Sequence, residues 1–210
     1  MSDALKIDVY FDFYCPFAWG ASVFLLNVEH KLGEKIEITW KPFSLEQVNS
    51  DKGPEWTIWG LPDSVKNFSR NQFFAAYAAE KQGRDKFNKF LVAMYEARHK
   101  RDKIPGKMET IMAAAKKAKF DLEQFKVDMA DPSLNERLAA DHTGAIETHG
   151  VFGTPTIVFP NGAAIYVKMR PAAPKVQTLR VWKQIVAMSE QEFLAELKKA
   201  NPPVHHQDGH

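Results

Sequence analysis

The sequence predicts an α/β chain: a mixed sheet whose strands are separated by a long helical segment. Three observations carry that reading. A short apolar run near the N-terminus is followed by a helical pattern and a second strand pattern, between Ser44 and Gly150 no strand pattern occurs, and a turn-centred strand pair with helical patterns closes the chain.

Lys6 to Phe13 is rich in Ile, Val, Tyr and Phe, as a strand buried in a sheet is. It ends at Cys15-Pro16, and from Phe17 the apolar residues Phe17, Trp19, Val23, Leu26 and Val28 follow helical spacing, with Gly33 as the stop. Pro16 suits a first helical turn, where no N–H is needed. Lys35 to Phe43 alternates Ile36, Ile38 and Trp40 against Glu37, Thr39 and Lys41, a second strand. The three form a β-α-β unit, parallel and right-handed by the usual rule.

A loop from Gly53 to Pro62 leads into helical patterns over Val65–Gln82, Arg84–Lys100, Lys107–Lys119, Asp121–Ala130 and Ser133–Thr148. Gly83, Pro105-Gly106 and Asp131-Pro132 punctuate them. Thr156–Phe159 and Ala163–Lys168 flank Asn161-Gly162 and form a hairpin by turn chemistry. Helices over Lys175–Met188 and Ser189–Lys199 precede a polar tail. The β-α-β and β-β-α segments together give one mixed sheet with an all-helical insertion, tolerated because the ends of such connections lie close together.

At 210 residues the chain is long enough for one well-packed core. Hydrophobic residues at 45% and charged residues at 26% are near globular averages, which excludes a disordered tail and a membrane-embedded chain. The 28 Lys and Arg against 26 Asp and Glu leave a net charge of +2, too little for a dedicated nucleic-acid binder. Phe13 to Val28 is uncharged but too short to span a bilayer, and Asp3, Asp8 and Asp12 stand where a signal peptide needs positive charge, so the expected location is the cytoplasm. One cysteine, Cys15, excludes an intrachain disulfide and any multi-cysteine metal site, and no metal is expected. Phosphate-binding and dinucleotide-binding glycine motifs are absent as well.

The chemistry concentrates in Asp12-Phe13-Tyr14-Cys15-Pro16-Phe17-Ala18-Trp19, where a lone cysteine stands between a strand end and a helix start. Free N–H groups and the helix dipole favour an anion there, so a thiolate gains over the thiol and Cys15 becomes a nucleophile. A buried, inert cysteine is the plain alternative. Downstream, Gly150-Val151-Phe152-Gly153-Thr154-Pro155-Thr156 leads into the hairpin.

This pair of motifs resembles the DsbA-like thioredoxin-fold family, over residues 5 to 190. The resemblance implies a thioredoxin-like domain of residues 1–43 and 150–200, a helical insertion over 44–149 and a tail of 201–210. It also implies that Cys15 heads the active-site helix and that Thr154-Pro155 is cis. Within the family, Cys15-Pro-Phe-Ala-Trp, Asp141-His142-x-Gly144, the Gly-Thr-Pro-Thr signature and a closing helix from Phe193 to Pro202 are most similar to a cytoplasmic branch of thiol-dependent reductases of the mycothiol-dependent nitroreductase type. Kappa-class glutathione transferases and 2-hydroxychromene-2-carboxylate isomerases are more distant, and usually carry serine at the position of Cys15. Ala18 replaces the second cysteine of the dithiol oxidoreductases.

The resemblance implies catalysis by Cys15, substrate contacts from Pro16, Phe17, Trp19, Thr154 and Pro155, and supporting roles for Asp12, Ala18 and His142. It implies no tightly bound cofactor, a low-molecular-weight thiol (glutathione or an equivalent) as co-substrate, and a disulfide or electrophilic substrate as partner. Three functions stay open: a monothiol thiol-disulfide oxidoreductase, a thiol-dependent isomerase or transferase, and a redox-inactive binding module.

His142, on the helix leading to Gly-Thr-Pro-Thr, reads either as a surface or core-satisfied histidine or as a catalytic one. Arg98-His99-Lys100-Arg101 reads as a solvated helix end or as a surface for the carboxylates of a thiol. Trp56 and Trp59 either pack or overhang Cys15. His205, His206 and His210 belong to the polar tail.

Overall fold

A computed structural model of the chain describes residues 4–53, 55–62, 65, 67–169, 174–196 and 198. Strand β1 (Leu5–Phe11) runs into helix α1 (Pro16–Leu32), which returns through a 3₁₀ turn at Gly33–Lys35 to β2 (Ile36–Pro42). Cys15 caps α1, Pro16 opens it, and Gly33 at φ 58° ends it by donating its N–H to the Glu29 carbonyl. His30 and Lys31 sit in the last turn, where the dipole favours cations.

Six helices follow: α2 (Leu45–Val48), α3 (Phe68–Glu80), α4 (Arg84–Arg101), α5 (Met108–Lys117), α6 (Leu122–Met129) and α7 (Leu134–His149). Strands β3 (Thr156–Val158) and β4 (Ala164–Tyr166), a 3₁₀ turn at Lys175–Gln177 and helix α8 (Thr178–Ser189) complete the described elements. The sheet order is β2-β1-β3-β4. β1 pairs in parallel with β2, from Leu5 opposite Ile36 to Phe11 opposite Pro42. It pairs antiparallel with β3, which forms the hairpin with β4. The expected thioredoxin fold, a β-α-β unit and a β-β-α unit sharing one mixed sheet around a helical insertion, is therefore present.

Strand periodicity divides the core. Ile7, Val9 and Phe11 of β1 and Ile36, Ile38 and Trp40 of β2 join the large cluster with Phe24, Leu25 and Val28 of α1, Phe90 and Leu91 of α4 and Trp182 of α8. Tyr10 points to the other face, where it meets Phe43, Ala145, Val151 and Val158. The large cluster crosses from sheet to insertion through Phe13, whose ring makes edge contacts with Phe11 (5.1 Å), Tyr95 (5.1 Å) and Phe90 (6.3 Å). Phe90 in turn meets Phe120 and Phe125, so one continuous apolar network holds the insertion against the sheet. Gly106, between α4 and α5, allows the closest approach in this region: a Cβ there would lie 1.5 Å from the Phe68 carbonyl oxygen.

Three expectations need correction. The first insertion helix begins at Phe68, capped by Asn67 accepting from the Arg70 N–H, rather than at Val65. A short helix, α2, for which the sequence shows no period, follows β2 and is capped by Ser44. The helix expected over Ser189–Lys199 is absent among its described residues: α8 itself ends at Ser189, and the described positions beyond it are turn or irregular. Phe193 is 87% exposed, so a helix there would bury little, and a short helix without packing is marginal in water. The remainder of the helix expected over Phe193–Pro202, like the tail histidines His205, His206 and His210, falls outside the described residues.

Candidate active site around Cys15

β1 ends at Phe11, and the chain turns over Asp12 to Cys15, closed by the Cys15 N–H donating to the Asp12 carbonyl at 3.0 Å. That turn delivers Cys15 to the N-cap of α1. Its Sγ accepts from the Ala18 N–H at 3.4 Å and, as a thiol, donates to the Thr154 carbonyl at 3.2 Å. A negative sulfur at this place would keep the Ala18 N–H and the positive end of α1. The Thr154-Pro155 peptide is cis, and Thr154 and Pro155 are both buried beside Cys15. Cys15 is 4% exposed, Pro16 is exposed, and Phe17 and Trp19 are half-buried. Ala18, fully buried, leaves no second thiol next to the sulfur.

Asp12 is the anchor of the turn. Its Oδ1 accepts from the Tyr14 N–H (2.9 Å) and Gln72 Nε2 (3.0 Å), and its Oδ2 accepts from the Leu45 N–H (3.0 Å). One carboxylate thereby ties the Cys15 turn to α2 and α3. Burial pushes its pKa up from 3.8 to about 6; the three donors oppose that shift and the nearby Glu46 adds to it. The Tyr95 hydroxyl donates to the Asp12 carbonyl at 3.4 Å, and burial raises this phenol well above its ordinary value. A hollow of about 420 Å³ opens over Asp12 and Tyr14, bounded by Glu46, Asn67 and Ser69.

The loop before β3 adds an aromatic rim. Phe152 is 68% exposed and its ring lies 5.2 Å from that of Tyr166 on β4. Burial raises the Tyr166 hydroxyl, and negative charge on Cys15 raises it further. Two residues beyond Tyr166, the Lys168 ammonium sits 4.2 Å over the Phe17 ring of α1. Within the loop the Thr156 hydroxyl donates to the Gly153 carbonyl at 2.8 Å, which ties it to the start of β3.

The structure thus brings Asp12, Cys15, Pro16, Phe17, Ala18, Trp19, Thr154 and Pro155 together. It places His142 elsewhere. His142, on α7 and 2% exposed, accepts the Ser44 N–H on Nδ1 at 3.2 Å and stacks on Phe43 at 4.3 Å. Burial lowers its pKa from 6.5 to about 4, so it is a neutral brace between α7 and the start of α2. Trp56 and Trp59 pack against Ile58, Phe73, Tyr77, Leu134 and Leu138 within the insertion, which satisfies the packing reading.

Sequence reasoning missed Gln72, Tyr95 and the Leu45 N–H, because their link to Asp12 is made by tertiary packing alone. Arg98 to Arg101 do form the last turn of α4, as expected, and the structure sets that helix end against the cysteine loop. The Arg98 guanidinium lies 5.2 Å over the Tyr14 ring, and His99 stacks on Trp19 at 5.3 Å while its Nε2 meets the Phe13 carbonyl at 3.0 Å. Among the described residues no group of three or more His, Cys, Asp or Glu could hold a metal ion, and no helix is long and apolar enough to cross a membrane.

Comparison with known proteins agrees with this fold. A curated protein of Mycobacterium tuberculosis (strain ATCC 25618 / H37Rv), the uncharacterized protein Rv2286c, is 25% identical over 94% of this chain and 83% of its own length. Among solved structures, reduced DsbA1 from Neisseria meningitidis superposes with a TM-score of 0.59 at 12% identity, over 90% of this chain and 86% of that one. The oxidoreductase DsbA from Xylella fastidiosa gives 0.56 at 18% identity, over 89% and 87%. A 2-hydroxychromene-2-carboxylate isomerase gives 0.61 at 18% identity, over 87% and 95%. The DSBA-like thioredoxin domain family matches residues 6–181, most of the chain, and the chain belongs to that family.

Proposed function

We propose that the chain is a thiol-disulfide oxidoreductase of monothiol type. The observation that carries this reading is the placement of Cys15: its sulfur receives the Ala18 N–H, faces the Thr154 carbonyl, and has a buried alanine where a resolving thiol would stand.

In the first step the Cys15 thiolate attacks one sulfur of a substrate disulfide. The S–S bond breaks, a mixed disulfide forms on Cys15, and the other half leaves as a thiolate that takes up a proton. In the second step a low-molecular-weight thiolate attacks the outer sulfur of that mixed disulfide, releases Cys15 as a thiolate and departs as a new disulfide. The sum of the two steps is one thiol–disulfide exchange, in which the attacking thiol ends in the new disulfide and its proton ends on the displaced half. A second equivalent of thiol would reduce the new disulfide in turn, and the protein returns unchanged. Nothing else is needed as a tightly held cofactor, and a chain with one thiol and this co-substrate suits a reducing compartment such as the cytoplasm.

The solved isomerase shares the fold, so a thiol-dependent isomerase or transferase is the competing reading. Intact mass after incubation with oxidised glutathione separates the two. The oxidoreductase reading expects one glutathione adduct per chain, absent in Cys15→Ser and removed by free thiol. An unmodified mass, together with thiol-dependent turnover of an electrophile, would replace it with the isomerase or transferase reading.

A further inference from the structure

The basic end of α4 forms one wall of a hollow of about 540 Å³ whose opposite wall is the cysteine loop itself, Tyr14 and Pro16. The hollow therefore begins one residue, about 3.8 Å of backbone, on either side of Cys15. Arg98, Lys100 and Arg101 supply three positive charges to it, and Asp102 supplies the one carboxylate. His99 also lines it, but burial lowers its pKa, while the Phe13 carbonyl opposes that shift and Arg98 reinforces it.

Cations at a helix C-terminus need no ligand to explain them, since they complement the dipole. Two features go beyond that explanation. The cations are seated on aromatic rings of the cysteine segment: Arg98 over Tyr14 at 5.2 Å, and the Lys100 ammonium 5.8 Å over Trp19. Their existing partners are also exchangeable. Arg98 pairs with Asp102, whose side chain is 93% exposed, at 2.7 Å. Lys100 shares Glu96 (3.0 Å) with Lys117 (2.8 Å), and Arg101 stands 4.0 Å from the same carboxylate. Exposed pairs of this kind hold weakly, so a bound anion can take over the guanidinium groups, which match a carboxylate two bonds at a time.

We propose that this hollow binds a carboxylate of the thiol whose sulfur meets Cys15, so that the co-substrate is an acidic, peptide-like thiol rather than a neutral sugar-bearing one. The proposal rests on the oxidoreductase reading and narrows its co-substrate class.

The test uses the full chain charged with a mixed disulfide at Cys15, and compares its resolution by glutathione and by glutathione diethyl ester, in which both carboxylates are masked. Rates are corrected for the thiolate fraction of each thiol. Glutathione should be faster by roughly tenfold, the scale of one charge-assisted hydrogen bond. That ratio should fall towards one in Arg98→Gln/Arg101→Gln and at high salt. Equal rates in the parent, or a preference that survives the double substitution, would overturn the proposal. So would a charge preference confined to formation of the mixed disulfide from acidic disulfides, which would assign the hollow to the substrate instead. Calorimetric titration with S-methylglutathione, which cannot react, keeps the two readings separate. Binding that weakens about tenfold in the double variant, in a chain that never forms an adduct, would sink the oxidoreductase reading and leave the anion site standing. Absence of binding alongside normal adduct chemistry would do the reverse.

Discussion

Asp12→Asn is the substitution that exposes most about how the cysteine turn is held. Burial moves the Asp12 carboxyl from 3.8 to about 6, and at about 1.36 kcal/mol per pH unit this corresponds to about 3 kcal/mol. The folded protein holds that proton more tightly than the unfolded chain. The favourable contribution is therefore complete below about pH 4, declines as pH rises, and is gone above about pH 6. His142 acts in the same window with the opposite sign. Its imidazole falls from 6.5 to about 4 on folding, so the unfolded chain takes up the proton first and about 3 kcal/mol is lost as pH drops from 6.5 to 4. In the parent the two offset each other. Asp12→Asn removes only the first, while its amide meets the three donors now served by the carboxylate and leaves one without an acceptor, at a cost of about 1–3 kcal/mol. Near pH 7 that cost is balanced by loss of the buried charge, so the two proteins should have similar stability. Urea unfolding between pH 7 and pH 4 should then show the variant losing about 3 kcal/mol relative to the parent. Parallel stability curves across that range would refute the assignment of a buried, proton-binding carboxyl beneath Cys15.

His142→Asn keeps an acceptor for the Ser44 N–H and removes the other half of the balance, so urea unfolding should find the variant gaining about 3 kcal/mol on the parent between pH 6.5 and pH 4. Phe90→Ala empties the contact of Phe90 with Phe13, Phe120 and Phe125 and should cost about 3–5 kcal/mol in a single denaturation transition; separate transitions for sheet and insertion would contradict one shared core. Ala18→Cys places a second thiol one helical turn from Cys15, where the residue 18 N–H already reaches the sulfur at 3.4 Å. Under mild oxidation this variant should lose both free thiols and shift by two mass units, measured by intact mass and thiol titration.

The fold was legible because its signals are local. Strand alternation in Lys35 to Phe43, the Cys15-Pro16 start and Gly33 stop of α1, and the Asn161-Gly162 turn each follow from neighbouring residues. Errors arose where local signals compete with packing. Leu45–Val48 is too short to show a helical period, and Ser189–Lys199 has the pattern of a helix, although its described residues beyond Ser189 are mostly exposed. Cys15, Pro16, Ala18, Thr154 and Pro155 were legible because two short motifs carry them. The rest of the site was not: the ties from Gln72, Leu45 and Tyr95 to Asp12 join residues distant in sequence. His142 was named for its position, yet its surroundings make it a brace for α2 and α7, a distinction that spacing does not encode.

If Cys15 is a monothiol nucleophile, it carries a mixed disulfide that only an external thiol resolves. Single-turnover kinetics on the isolated Cys15 mixed disulfide measure this directly, by following release of the bound half as the concentration of free thiol is varied. The release rate should rise in proportion to thiol at low concentration and vanish without it. Release at a rate independent of added thiol would contradict resolution by an external thiol.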